Sequence, residues 1–441
     1  MKDKILIITY YWPPSGGSGV QRWLKFVKYL SSFGWQPVVL TVDEKKASYP
    51  QIDKSLEKEA PASVPVIRTD SFEILNLYKK VSTEKNIPFG NLTDKKYTSF
   101  TQKLSRFIRG NFLLPDPRRG WNKHAYKKAC EIIEKENIKY VITTSPPHST
   151  QLIGLRLKKK YPNIKWIADF RDPWTDIHYY KMLYTTKFAD KINENYEQKV
   201  LEKADKIIVT CEATKNVFLS KSKKILSEKI AVITNGFDDD DFTGIKADIL
   251  PYFTITYIGI LYNSDDLTAL LTAFCKLTIK ENCLLRFVGQ SSTIIASEIA
   301  KYGLEKYTEF LPQVKHSEAV QLMVNSSVLV LLAPNEDATT AFLPGKLFEY
   351  LAARRPILCI AQPNHAIRDI ISDCKAGQSF DYHEDNDILN FLEKQKSDWE
   401  NNKTSQLNDT AYLQYSRKNL TIQLLELFSD TNDTNFTNYH E

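Results

Sequence analysis

Short β-rich apolar runs alternate with amphipathic helical patterns along most of this chain, and that alternation confines it to parallel sheets flanked by helices. In the first part the predicted strands are 4–10, 36–42, 139–144, 165–170, 206–210 and 229–234, with helices over 20–33, 123–136, 149–161 and 190–204. After Asn235-Gly236-Phe237 the rhythm breaks. Residues 238–251 hold four consecutive aspartates, a Gly and a Pro without an apolar period, which reads as an interdomain connection. The rhythm then restarts with strands at 254–258, 284–288, 328–332 and 357–360 and helical spacing through Leu267, Leu270, Leu271 and Phe274. The expected class is α/β, with two doubly wound Rossmann-like domains at 1–237 and 252–400. A last helical segment within 401–428 carries Leu413, Leu420, Leu424 and Leu427, and its pattern alone does not say which domain it covers. The Asn/Thr/Asp-rich tail 429–441 reads as frayed.

A chain of 441 residues has ample length for more than one core. With 23 Tyr, 22 Phe and 7 Trp, and 42% of residues apolar, it is not a mainly disordered protein. The apolar runs fall short of the ~20 residues that cross a bilayer, and the first residues lead straight into a strand, so neither a transmembrane helix nor a signal peptide is expected. Cysteines 130, 211, 275, 283, 359 and 374 form no C-x-x-C pair and read as buried thiols of a reducing cytoplasm. No H-E-x-x-H spacing points to zinc. The D-x-D spacing within residues 238–241 reads as turn capping in a connector, so no metal is expected there.

The formal charge is +6, but it is local: residues 79–139 hold fifteen Lys/Arg against six Asp/Glu. Within this stretch Tyr97, Phe100, Leu104, Phe107 and Ile108 fall at helical spacing with Lys103, Arg106 and Arg109 between them. Together with the following Arg118-Arg119-Gly120-Trp121, residues 97–121 are a candidate contact for an anionic membrane surface. An ordinary surface helix covering the core has the same pattern. No nucleic-acid recognition motif accompanies the cations, and no nucleic-acid partner is expected.

Several loops at predicted strand ends carry chemistry. The first strand runs into Pro13-Pro14-Ser15-Gly16-Gly17-Ser18-Gly19, where glycines let backbone amides approach a ligand and the next helix start favours an anion. It matches neither a P-loop nor G-x-G-x-x-G, and it also reads as a plain βα turn. Ser145-Pro146-Pro147-His148-Ser149 and Asp169-Phe170-Arg171-Asp172-Pro173-Trp174 follow neighbouring strands, and in a doubly wound sheet such loops converge. His148, Asp169, Arg171 and Asp172 are therefore candidates for positioning an acceptor hydroxyl or stabilising a separating anion. An Arg171–Asp169 ion pair and a turn cap by Asp172 are the structural alternatives. Pro344-Gly345-Lys346-Leu347 opens a helix whose free amides suit phosphate oxygens, and Glu349 lies one turn on, where its carboxylate could accept ribose hydroxyls. An exposed Glu349–Lys346 pair is the alternative there.

Taken together, P-P-x-G-G-x-G-x-Q-R (13–22), P-D-P (115–117), S-P-P-x-S (145–149), D-F-R-D-P-W (169–174), N-G-F-D (235–238) and G-K-x-F-E-Y-L-A (345–352) resemble a bacterial branch of glycosyltransferase family 4. The resemblance covers roughly residues 4–425. It implies the GT-B fold, two Rossmann-like domains facing across a cleft, and a retaining enzyme needing no metal. It further implies a nucleotide-sugar donor held by the second domain, a glycan or polyprenyl-linked acceptor held by the first, and a last helix crossing back to the first domain. The glycine loop at Gly16 and Gly17 would approach the diphosphate, with Gly259, Gly345, Lys346 and Leu347 on the donor side and Glu349 gripping the ribose. Three departures stand out. The first Glu of E-x7-E falls on Ala341. The G-R-L...K-G element reads Gly259-Ile260-Leu261 followed by residues 262–266, without either cation. The Arg171-Asp172 region stands in place of a catalytic-loop His. Diphosphate neutralisation then falls to Lys346, Arg171 and the amides of 345–347. The expected function is sugar transfer in cell-surface polysaccharide biosynthesis at the cytoplasmic side of the membrane. The rivals are a non-catalytic nucleotide-sugar-binding or scaffold protein of an envelope glycan assembly, and a nucleotide-sugar epimerase.

Overall fold

The computed structural model describes residues 3–73, 100–177, 180–248, 250–261, 267–278, 282–290, 293–333, 335, 343–401 and 409–428. Tyr97, residues 262–266, Ala341, residues 405–408 and the tail 429–441 lie outside the described residues. The chain forms two compact units, one containing residues up to Thr234 together with the segment from Leu420, the other spanning Asn235–Asn419.

The first unit is built on a seven-stranded parallel sheet: β1 (Lys4–Ile8), β2 (Gln36–Val42), β3 (Val66–Thr69), β4 (Tyr140–Ser145), β5 (Lys165–Phe170), β6 (Lys206–Val209) and β7 (Ile230–Val232), in the order β3-β2-β1-β4-β5-β6-β7. Register pairs Leu6 with Val38 on one side and with Val141 on the other. Because successive strand side chains point to opposite faces, Leu6, Ile8, Val141 and Trp166 enter one core while Ile5, Ile7, Ile142 and Ile167 enter another. Each such fully buried aliphatic stabilises the fold by roughly 1.5–3 kcal/mol. The second core also takes Leu420, Leu424, Leu425 and Phe428, with the Phe428 ring set 5.1 Å from Trp35 and 5.0 Å from Tyr140. The last helix thus covers the first unit.

The second unit repeats the plan in six strands: β8 (Phe253–Ile258), β9 (Cys283–Val288), β10 (Thr308–Leu311), β11 (Val328–Leu332), β12 (Ile357–Ile360) and β13 (Gly377–Phe380), ordered β10-β9-β8-β11-β12-β13. Its alternation is equally regular, with Val328 and Val330 on one face and Leu329 and Leu331 on the other. In each unit the strand order reverses beside the first strand, between β1 and β4 and between β8 and β11. Ligand sites of open α/β sheets lie at the carboxyl ends of such switch points.

Three differences from the sequence reading have clear causes. The strands β3, β10 and β13 were not anticipated; each is four residues long, sits at a sheet edge and is only partly buried, so none shows a continuous apolar run. Residues 238–251 are not a free connector: Phe242 and Ile245 pack on the core of the second unit, and Asp238 accepts from the Asp240 amide (3.3 Å) to cap the turn Asp239–Asp241. The last helix runs only over Arg417–Glu426, because Ser416 is extended and pairs with Phe237. The Arg417 amide donates to the Phe237 carbonyl (2.7 Å), and a 3-10 turn at Ala411–Tyr415 precedes it.

Candidate active site

In the first unit the loops after β4 and β5 do converge. The Arg171 amide and Nε both donate to the Ser145 carbonyl (3.1 and 3.0 Å), and its Nη2 donates to the Pro146 carbonyl (2.5 Å). The guanidinium passes over the start of helix Ser18–Ser32: a Cβ on Gly19 would lie 1.7 Å from Arg171 Nη1, so a side chain there would have to displace the guanidinium. Burial lowers the Arg171 pKa, while the Asp169 and Asp172 carboxylates oppose that shift. Asp172 is half-buried in the same turn.

Asp169 does not join them as a reactive group. Its side chain is fully buried, accepting from Arg22 Nη2 (3.1 Å), Trp23 Nε1 (2.8 Å) and Thr144 Oγ1 (2.7 Å). Arg22 in turn donates to the carbonyls of Thr234 (2.6 Å) and Ile233 (2.9 Å). The ion pair of Asp169 is therefore with Arg22 and ties the first helix to β5 and the end of β7. Sequence reasoning missed this partner, although a cation inside the apolar stripe of Val20, Trp23, Leu24 and Val27 demands a buried carboxylate.

His148 is likewise enclosed. Its ring stacks on Trp174 (5.1 Å, 12°) and lies 6.5 Å from Phe170, and neither ring nitrogen has a hydrogen-bond partner among the described residues. Burial first, then the charges of Arg171 and Lys221, push its pKa down to about 3. The ring is held neutral in the wall of the loop. Trp174 is fixed from behind by Glu197, which is buried and accepts from the Trp174 amide (3.2 Å), Thr175 Oγ1 (2.7 Å) and Lys221 Nζ (2.6 Å).

The glycine loop divides into packed and open parts. The Gly16 amide donates to the Gln51 carbonyl (2.9 Å), and a Cβ there would meet Asp53 and Gln51 side-chain carbons at 3.1 and 3.2 Å. Gly16 thus serves loop packing and has no amide to offer a ligand. Gly17 is exposed with φ +98°, and its conformation turns the chain into the helix. The P-D-P element also holds structure together, since Asp116 accepts from the Ser149 amide (2.7 Å) and Ser149 Oγ (3.0 Å) and so caps the helix Ser149–Lys160.

In the second unit Lys346 stands at the start of helix Gly345–Ala353, where the first-turn amides have no intrahelical acceptor. Its Nζ lies 3.9 Å from the Tyr257 ring centroid and 3.5 Å from where a Cβ on Gly259 would sit. Gly259 (φ +137°) directly follows β8, so the ammonium is placed at the switch point beside the end of β8. Burial lowers the Lys346 pKa to about 7. The Leu347 amide donates to the Pro344 carbonyl (3.1 Å) and its side chain is fully buried, which leaves Gly345 and Lys346 as the amides at this helix end.

Glu349 does not pair with Lys346. Its Oε1 lies 3.8 Å from Nδ1 of His316, the first residue of helix His316–Asn325, and His316 Nε2 lies 3.2 Å from Asp241 Oδ2. The Glu349 side chain is 24% exposed, enough to meet a ligand, and burial raises its pKa while His316 opposes. His316 and Asp241 were not anticipated; only the fold brings three segments so distant in sequence together. Among the described residues no group of three or more His, Cys, Asp or Glu is placed to hold a metal ion.

Residues 93–241 match the model for Glycosyltransferase Family 4, and residues 246–413 match that for Glycosyl transferases group 1. The two matches together take in well over half of the chain, and the protein belongs to these GT-B glycosyltransferases. No curated protein matches the sequence at a significant level. Among solved structures it resembles a glycosyltransferase from Rickettsia africae, at 16% identity over 98% of this chain and 100% of that one, with TM-score 0.59. HepE of Anabaena, solved with UDP, gives 13% identity over 96% and 99% with TM-score 0.59. Sucrose-phosphate synthase from Thermosynechococcus elongatus gives 14% over 97% and 98% with TM-score 0.58. At these identities the likeness is one of fold.

Proposed function

We propose that the protein is a retaining glycosyltransferase that moves a sugar from a nucleoside-diphosphate donor to a glycan or polyprenyl-linked acceptor in cell-surface polysaccharide biosynthesis. The observation that carries this reading is the Lys346 ammonium beside Gly259, at the open end of a helix that presents Glu349 one turn further on. Those groups match the parts of a nucleoside diphosphate: the ammonium and the Gly345 and Lys346 amides take phosphate oxygens, and the carboxylate takes two ribose hydroxyls.

In this mechanism the bond from the anomeric carbon to the diphosphate oxygen breaks as fixed positive groups receive the departing charge, which is the largest contribution to rate. The acceptor oxygen then bonds to the same face of the sugar and its proton passes to the diphosphate oxygen that has departed. Arg171 and Asp172, held at the carboxyl ends of β4 and β5, address the sugar or acceptor from the first unit. Gly17 shapes the adjoining helix start, and Asp169 and His148 keep this surface rigid. The diphosphate is neutralised without a metal. The scaffold alternative drew on the missing Arg, Lys and first Glu of the family pattern, and the Lys346 ammonium beside Gly259 supports the transferase reading over it. The six cysteines are free thiols, in keeping with a cytoplasmic enzyme.

The test is an assay of UDP-, GDP- and ADP-sugars against glycan and polyprenyl-phosphate acceptors, with the product anomer assigned by NMR. Transfer with the donor's anomeric configuration is expected. An inverted product contradicts the retaining mechanism, recovery of an epimerised donor contradicts transfer, and binding with no turnover on any acceptor returns the scaffold reading.

A further inference from the structure

Helix Phe100–Phe112 contains no acidic residue, and it leaves Leu104, Phe107, Ile108 and Phe112 exposed. The structure sets a second segment beside it. A Cβ on Gly110 would lie 2.4 Å from the Leu183 carbonyl oxygen, so the two backbones touch. Asn111 fastens them: its Nδ2 donates to the Tyr184 carbonyl (3.1 Å), and its Oδ1 accepts from the Thr186 amide (2.7 Å). This segment adds Tyr184 and Phe188, and Phe112 and Phe188 are 72% and 76% exposed. Lys103, Lys181 and Lys187 are exposed on the same two segments, and residues 180–188 hold no carboxylate either.

Rings this open cost free energy in water, and clustered exposed apolar side chains of this kind mark an interaction surface. We propose that this two-segment patch docks on an anionic bilayer surface, with Phe112 and Phe188 entering the headgroup boundary and the three lysines meeting lipid phosphates. The charge pattern selects the occupant. A second copy of the same face would bring like charges together, whereas phosphate headgroups complement them. The patch overlaps the 97–121 candidate only in part. Arg118 is buried, its Nη2 donating to the Ser48 carbonyl (3.0 Å), and Trp121 is buried with its Nε1 on Thr69 Oγ1 (2.8 Å). Arg118 and Trp121 therefore take no part in the patch, which instead adds Tyr184 and Phe188.

The proposal does not depend on the transferase reading, and one experiment keeps them apart. The full chain is co-sedimented with vesicles of phosphatidylcholine alone and of phosphatidylcholine with phosphatidylglycerol, at low and raised salt. Binding to the mixed vesicles is expected, weakened by salt, with each Lys→Glu change at Lys103 or Lys187 lowering partition about fivefold or more. The pair Phe112→Ser and Phe188→Ser should abolish binding while leaving circular dichroism and nucleoside-diphosphate binding as in the wild type. Three results would overturn the proposal: no binding to anionic vesicles, binding that the two serine changes leave intact, or a solution dimer that those changes dissolve.

Discussion

At the residue scale, Lys346 and Asp169 show opposite uses of a buried charge. With its pKa lowered to about 7 by burial, Lys346 loses its proton as pH rises through that value, so the cation that would bind phosphate is present below it and depleted above. Nucleoside-diphosphate affinity is therefore expected to fall with rising pH, approaching about tenfold per pH unit well above the transition. Lys346→Arg keeps its charge throughout and should flatten this profile, which binding titrations across pH will show. Glu349→Gln keeps shape and loses the charged acceptor, and should raise the donor KM by on the order of 10- to 100-fold with a smaller change in kcat. Asp169→Asn instead strips Arg22 of its buried counter-charge, a loss of about 3–5 kcal/mol to be read in chemical denaturation. Nucleoside-diphosphate binding should survive it. The sequence already pointed to Lys346 for the diphosphate and Glu349 for the ribose, but not to the pairing of Asp169 with Arg22. Asp169 and Arg171 stand two positions apart on one motif, yet Asp169, still on the strand, points inward to Arg22, while Arg171, just past the strand end, lies over Gly19.

At the element scale, the caps and strand ends decide what the loops can do. Asp116 holds the helix Ser149–Lys160 from a loop more than thirty residues upstream, accepting both the amide and the hydroxyl of Ser149. Asp116→Ala should cost about 1–2 kcal/mol of stability by denaturant titration, with Asp116→Asn recovering part of it. The central strands were legible because burial on both faces demands continuous Val/Ile/Leu runs, as in Val328–Leu332. The edge strands Thr308–Leu311 and Gly377–Phe380 escaped because an edge is covered on fewer sides and tolerates Glu, Gln and Ser. The break at Ser416 was equally hidden, since it depends on pairing with Phe237, far away in sequence.

For the whole molecule, two parallel sheets place a switch point in each unit, and nearly all the chemistry-bearing residues lie at or near one of them. That much followed from the restart of the βα rhythm after residue 251. The cluster of Glu349, His316 and Asp241 did not follow, because it joins segments from separate elements. A grip by the second unit on a nucleoside diphosphate through Lys346 and Glu349 is tested most directly by calorimetric titration of UDP, GDP and ADP into the wild type and Lys346→Met. Saturable binding of at least one of the three, weakened tenfold or more by Lys346→Met, is the predicted result. Equal affinity in the two proteins, or no heat with any of the three, would contradict it.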